Sequence, residues 1–242
     1  KDDEEILDCP DLHAKGNFVE DMIAEIMAVE RVNEEIIKDF CFVVQNLRVI
    51  LCGDPSKYRT VIEESGIHNF LIQLFECNPE PPLSNAVLPL LSVVMRTSPD
   101  ISNEIANTPF ALNLIDKFDV RNLFTNGNTA IFVILNDLTL KSPEFKAYFA
   151  QNSLKTLMDF KNVILSKFSP DRPFFLKCLI ENVGLYLVDP KLYNKIILFY
   201  EELLKHKISK VACWISKSLY FACKEEYSPL EAIAASKITE GI

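Results

Sequence analysis

The chain has 242 residues, 49% apolar and 24% charged, with 25 Lys and Arg against 34 Asp and Glu and a net charge of −9. That composition is globular and long enough to bury a large core. The acidic balance excludes a general nucleic-acid binder, whose counterion release needs a dense Lys/Arg surface, and no apolar run reaches the ~20 residues of a membrane span. The start, Lys1-Asp2-Asp3-Glu4-Glu5, has neither the basic region nor the apolar stretch of a signal peptide, and reads as a solvated tail of a cut or processed chain.

Proline supplies the first pattern along the chain. Cys9-Pro10-Asp11, Asp54-Pro55-Ser56, Ser98-Pro99-Asp100, Ser142-Pro143-Glu144, Asp189-Pro190-Lys191 and Ser228-Pro229-Leu230 recur at spacings of 45, 44, 44, 47 and 39 residues. Asp or Ser precedes five of the six prolines. Their side-chain oxygens cap the orphan amides of a helix start, and proline suits the next position because its φ is already helical. Each rung therefore predicts a helix N-terminus, and the period predicts a repeated helical unit.

The stretches between rungs agree. After Pro55 a short helix over Tyr58 to Glu64 is expected. A Ser65-Gly66 turn follows, then a helix with Ile67, Phe70, Leu71, Leu74 and Phe75 on one face. Asn78 to Pro82 breaks the pattern before a more apolar helix from about Ser84 to Arg96. The next unit repeats the order, with a short helix after Pro99 and a break at Asn107-Thr108-Pro109. A helix carrying Leu112, Leu114, Ile115 and Phe118 comes next, then a loop near Asp119 to Gly127 and an apolar helix from about Asn128 to Leu140. The third unit breaks at Asn152-Ser153 and at Ser169 to Pro173, and the fourth runs from Pro190 to about Lys205 as one fused helix. Three helices per unit, with the third the most apolar, predict an all-α solenoid over 1–242. Repeats start near Pro10, Pro55, Pro99, Pro143, Pro190 and Pro229.

Seven cysteines, an odd number without a CxxC pair, lie mostly in apolar stretches and read as reduced core cysteines of a cytoplasmic or nuclear protein. His13, His68 and His206 stand far apart, so no metal site is expected. No P-loop, GxGxxG, GxSxG or HExxH occurs, and no enzymatic activity or cofactor is expected.

These features resemble armadillo repeats, whose period is about 42 residues with three helices per repeat. Ile134-Leu135-Asn136-Asp137-Leu138 before Ser142-Pro143, and Val44-Gln45-Asn46-Leu47 before Asp54-Pro55, are similar to the end of that family's third helix. Glu64-Ser65-Gly66-Ile67 is similar to its turn, and Ala212-Cys213-Trp214-Ile215-Ser216 resembles the third-helix wording of importin-alpha-type domains. Glu240-Gly241-Ile242 looks like the same turn, so both ends read as lying inside repeats.

The resemblance implies a right-handed superhelix whose third helices line a groove for an extended peptide or partner protein. An Asn ladder would hold the peptide backbone, with an aromatic residue four positions earlier on the same helix face. That register gives Phe42 and Asn46, Ser92, Phe132 and Asn136, Asn182, and Trp214 and Ser218, with Arg96 one turn after Ser92. A structural role for each Asn, bonding a neighbouring loop's backbone and so stabilising the stacking of repeats, carries equal weight. Only one unit keeps Trp and three keep Asn, while Arg48, Arg96, Lys177 and Lys217 stand on third helices against Asp137 and Glu181. The expected function is a non-catalytic adaptor, importin-alpha-like in nuclear import. The alternatives are a scaffold in a cytoskeletal or signalling assembly and the regulatory subunit of an enzyme complex. A basic groove would favour an acidic partner.

Overall fold

The computed structural model describes residues 18–29, 32–118, 126–154, 158, 173–187, 189–205, 209–224, 229, 233–234 and 236–238. The rung at Pro10, the tail and the Glu240-Gly241-Ile242 turn lie outside them. So does the 169–172 part of the third-unit break. Among the described residues every regular element is helical, so the chain is all-α. None of these helices is long and apolar enough to cross a membrane.

The chain divides into two compact units, Lys1–Ser98 and Pro99–Ile242, and the boundary falls on a proline rung. The first contains α1 (Phe18–Met27), α2 (Ile37–Gly53), a 3₁₀ turn (Pro55–Tyr58), α3 (Arg59–Ser65), α4 (Ile67–Cys77) and α5 (Leu83–Thr97). Asp54 caps the 3₁₀ turn as its spacing predicts, accepting from the Lys57 amide at 3.3 Å. Gly66 joins α3 to α4 with φ 66°, a left-handed conformation that costs glycine nothing. On α4 the four-residue spacing of Ile67, Leu71 and Phe75 puts all three in the core. Burying each contributes about 1.5–3 kcal/mol relative to leaving it exposed.

Helix α5 is the centre of this unit, and α2, α3 and α4 pack on it. It contains Pro89, which brings no N–H to the carbonyl four residues back and costs about 3 kcal/mol in an isolated helix. Tertiary burial overrides that propensity, since twelve of the fifteen α5 residues are buried.

The second unit contains α6 (Pro99–Ala106), α7 (Pro109–Lys117), α8 (Asn126–Lys141), α9 (Pro143–Phe149) with a π-helical turn over Ala150–Leu154, α10 (Pro173–Gly184), α11 (Tyr193–Leu204) and α12 (Ser209–Ala222). Ser142 caps α9 as its rung predicts, accepting from the Phe145 amide at 3.1 Å. Helix α8 packs on α6, α7, α9 and α10, and α10 packs on α12.

One local expectation needs correction. Pro190 does not begin a helix. Asp189 Oδ1 accepts from the Lys191 amide at 2.9 Å, and the Asp189 carbonyl accepts from the Leu192 amide at 2.9 Å. Those bonds close a turn, and α11 starts only at Tyr193. Helix α7 buries one face. Phe110, Ala111, Leu114 and Ile115 form that face, and Leu112 lies roughly opposite, exposed.

Candidate protein-binding cleft

The second unit holds a cleft of about 310 Å³ where the C-terminal ends of α8, α10 and α12 meet α9. Leu140 comes from α8, Lys146 from α9, Glu181, Gly184 and Leu185 from α10 and its following turn, and Lys217, Ser218, Phe221 and Ala222 from α12. The floor exists because α10 and α12 approach closely at Gly184. A Cβ there would lie 1.7 Å from Ser218 Oγ and 2.9 Å from the Tyr200 hydroxyl. Any side chain larger than hydrogen would have to displace the Ser218 and Tyr200 hydroxyls or part the helices.

A hydrogen-bonded knot sits beneath the floor. The Tyr200 hydroxyl donates to the Ile180 carbonyl at 2.7 Å, and 3.0 Å separates it from Ser218 Oγ. Tyr186 donates to the Lys146 carbonyl at 3.1 Å, tying the turn after α10 to α9. Burial pushes both phenols well above the ordinary tyrosine range, so each stays a neutral donor.

The rim carries exposed apolar surface and basic charge together. Leu140 and Phe221 are each 56% exposed, and Tyr220 meets Phe221 edge-on at 5.8 Å between centroids. Lys217 stands 5.9 Å over the Phe221 ring and Lys146 5.4 Å over Tyr186. The carboxylate among them, Glu181, pairs with Lys177 at 3.8 Å on its own helix. The balance at this rim is positive on a chain whose net charge is −9.

Of the nine residues that the ladder register proposes, Ser218 lines this cleft. Asn182 is completely buried and its Nδ2 donates to Thr139 Oγ1 on α8 at 2.8 Å, a bond between neighbouring helices. Phe132 is also completely buried, 5.9 Å from the Phe118 ring. Asn136 is buried, and its Oδ1 has no hydrogen-bond partner among the described residues. Trp214 is half-buried.

In the first unit Ser92 is buried and donates to the Pro89 carbonyl of its own helix at 2.8 Å. Exposed Arg96 donates to the Ser92 carbonyl at 3.1 Å. Phe42 is exposed and Asn46 half-buried on α2.

On α10 the ladder position and the more accessible face lie one residue apart. Cys178, Asn182 and Tyr186 are buried, whereas Lys177, Glu181 and Leu185 reach the surface. One position is 100° around a helix, enough to carry a whole stripe from groove to core. On α12 the same step separates Trp214 and Ser218 from the more exposed Cys213, Lys217 and Phe221. The charges of Lys177, Glu181 and Lys217 were the legible signal for this face, since ionised side chains seldom enter a core. Gly184 carried none.

No protein-family model, no curated protein and no solved structure matches this chain.

Proposed function

We propose that the chain is a non-catalytic protein-binding adaptor built as an armadillo-like α-solenoid, and that the cleft among α8, α9, α10 and α12 grips an acidic partner segment. The solenoid reading rests on the proline rungs and on the packing of successive third helices. Helix α2 packs on α5 in one unit, and α8 on α10 and α10 on α12 in the other. The binding reading rests on one observation, the open apolar cleft rimmed by Lys146 and Lys217. Its volume lies at the small end of the ~300–1,000 Å³ of small-molecule pockets, a size suited to one anchoring side chain of a peptide. Carboxylates on either side of the anchor would meet the lysines, steering association and fixing register.

An importin-like carrier needs acidic or Asn-rich surface for lysine-rich cargo. The burial of Asn182 and the basic rim favour the opposite sign of partner.

The test uses a labelled Asp/Glu-rich peptide with one central Phe, read by anisotropy at low and physiological salt. Reversing both lysines (Lys146→Glu with Lys217→Glu) is expected to weaken binding by about tenfold or more, a change of about 1.4 kcal/mol. Unchanged affinity in that variant, or no binding by the native chain at about 100 μM (roughly −5.5 kcal/mol), overturns the reading.

A further inference from the structure

The first unit carries a second cleft, and its sign is the reverse. It has a volume of about 350 Å³ and lies between α1 and the end of α3. Ile23, Ala24, Met27 and Val61 supply its apolar lining, and Glu20 and Glu64 are the charged groups on it. Helix α1 holds Glu20, Asp21 and Glu25 and has no Lys or Arg. Beside Glu64, Glu63 is held below the usual carboxylate range, first by the Ser98 hydroxyl at 2.6 Å and then by Arg59 at 2.7 Å; Arg59 lies on the same helix and offsets its charge, so Glu64 carries the net negative charge of that helix. Phe18 and Met27, at the two ends of α1, are 39% and 38% exposed.

We propose that this cleft docks a basic protein segment. A large apolar side chain would enter between Ala24, Met27 and Val61, with Lys or Arg on either side of it facing Glu20 and Glu64. Charge complementarity selects this occupant. A rim of carboxylates repels acidic peptides, anionic lipid and nucleic acid, and each such like-charge meeting costs affinity. The apolar floor demands more than a polybasic tail, because a lysine run without an anchor leaves that floor in water. The inference stands on residues of the first unit and does not depend on the lysine-rimmed cleft. Together the two sites would let one chain join segments of opposite charge.

The probe is a labelled Lys/Arg-rich peptide with one central Phe, measured at physiological salt beside the same peptide with Ser in place of Phe. The variant Glu20→Lys with Glu64→Lys is expected to weaken the Phe peptide by about tenfold or more, since each reversal exchanges an attraction for a repulsion. Ala24→Trp, at an exposed position, is expected to fill the cleft and cause a loss of about the same size. Glu76→Lys with Glu80→Lys makes the same charge change on exposed residues of this unit outside the cleft lining, and is expected to cost less than about threefold.

Equal weakening by that control pair, equal affinity of the Ser peptide, an unaffected Ala24→Trp variant, or no binding of the basic peptide overturns the proposal. Far-UV circular dichroism confirms that each variant is folded. Binding of the acidic peptide to the Glu20/Glu64 variant reads the lysine-rimmed cleft separately, so failure at one site is distinguishable from failure at the other.

Discussion

The two units hold themselves together by different means. In the first, the buried hydroxyls of α5 turn back on their own helix. Ser92 donates to the Pro89 carbonyl and Thr97 to the Val93 carbonyl, at 2.8 and 2.9 Å. The helix meets its neighbours there through apolar side chains, which tolerate small shifts. In the second, polar groups cross between helices: Asn182 to Thr139, Tyr200 to Ile180 and Ser218, and Tyr186 to Lys146. Such bonds fix register, and breaking one strands a buried polar partner. The apolar surface of the second unit is carried on a brittle frame of buried cross-helix bonds, whereas around α5 the first unit relies mainly on apolar packing, with the Ser98–Glu63 bond at 2.6 Å tying the end of α5 to α3. Substitution should therefore cost more in the second unit, size for size.

Glycine gives the largest expected contrast. Gly184→Ala drives a methyl into Ser218 Oγ and the Tyr200 hydroxyl, and should destabilise the protein by about 2–3 kcal/mol. Gly53→Ala, at the end of α2, meets nothing within 4 Å and should be neutral or stabilising by up to about 0.5 kcal/mol. Urea denaturation compares the two. The single tryptophan, Trp214, lies on α12, so its fluorescence reports the second unit while circular dichroism reports both. Equal effects of the two alanines would break the comparison.

Hydroxyl deletion sharpens it. Tyr200→Phe removes a fully buried hydroxyl that donates to α10 and sits within hydrogen-bond distance of Ser218 on α12, and should cost about 1–2 kcal/mol. Ser92→Ala removes a bond within one helix and should cost less than about 0.5 kcal/mol. The ladder reading predicts that Ser92→Ala also weakens peptide binding. The buried, self-satisfied hydroxyl predicts no change in affinity, by the same anisotropy assay.

Periodicity carried the helices, and the reason lies in how local their causes are. The Asp54 and Ser142 caps, the Gly66 turn and the apolar stripe of α4 depend on residues within a turn of one another. The site was less legible because it depends on which side of α8, α10 and α12 is left uncovered. Asn182 and Glu181 are adjacent in sequence and both polar, yet one is a core hydrogen-bond donor and the other a rim charge. Only the packing of α10 between α8 and α12 separates them. Gly184 was silent for a similar reason. Its requirement comes from Ser218 and Tyr200, 34 and 16 residues away in the chain.

The smallest expected effects are the pH limbs, which also run in opposite directions in the two units. Burial raises the Tyr200 and Tyr186 phenols, so their contribution is intact below the ordinary tyrosine value of about 10 and is lost as pH rises beyond it. Tyr200→Phe should flatten that alkaline limb in the Trp214 signal. Glu63 behaves in reverse. The Ser98 hydroxyl and Arg59 lower its carboxyl, so its contribution is present above the ordinary glutamate value of about 4.3 and is lost as pH falls through the lowered one. Because Ser98 stands at the end of α5 and Glu63 on α3, acid should loosen the first unit before the second. Glu63→Gln keeps the shape and removes the titration, and should flatten the acid limb seen by circular dichroism while leaving the Trp214 signal unmoved. An acid limb that persists in Glu63→Gln, or that moves Trp214 fluorescence in step, would mean that this bond does not govern the first unit's response to acid.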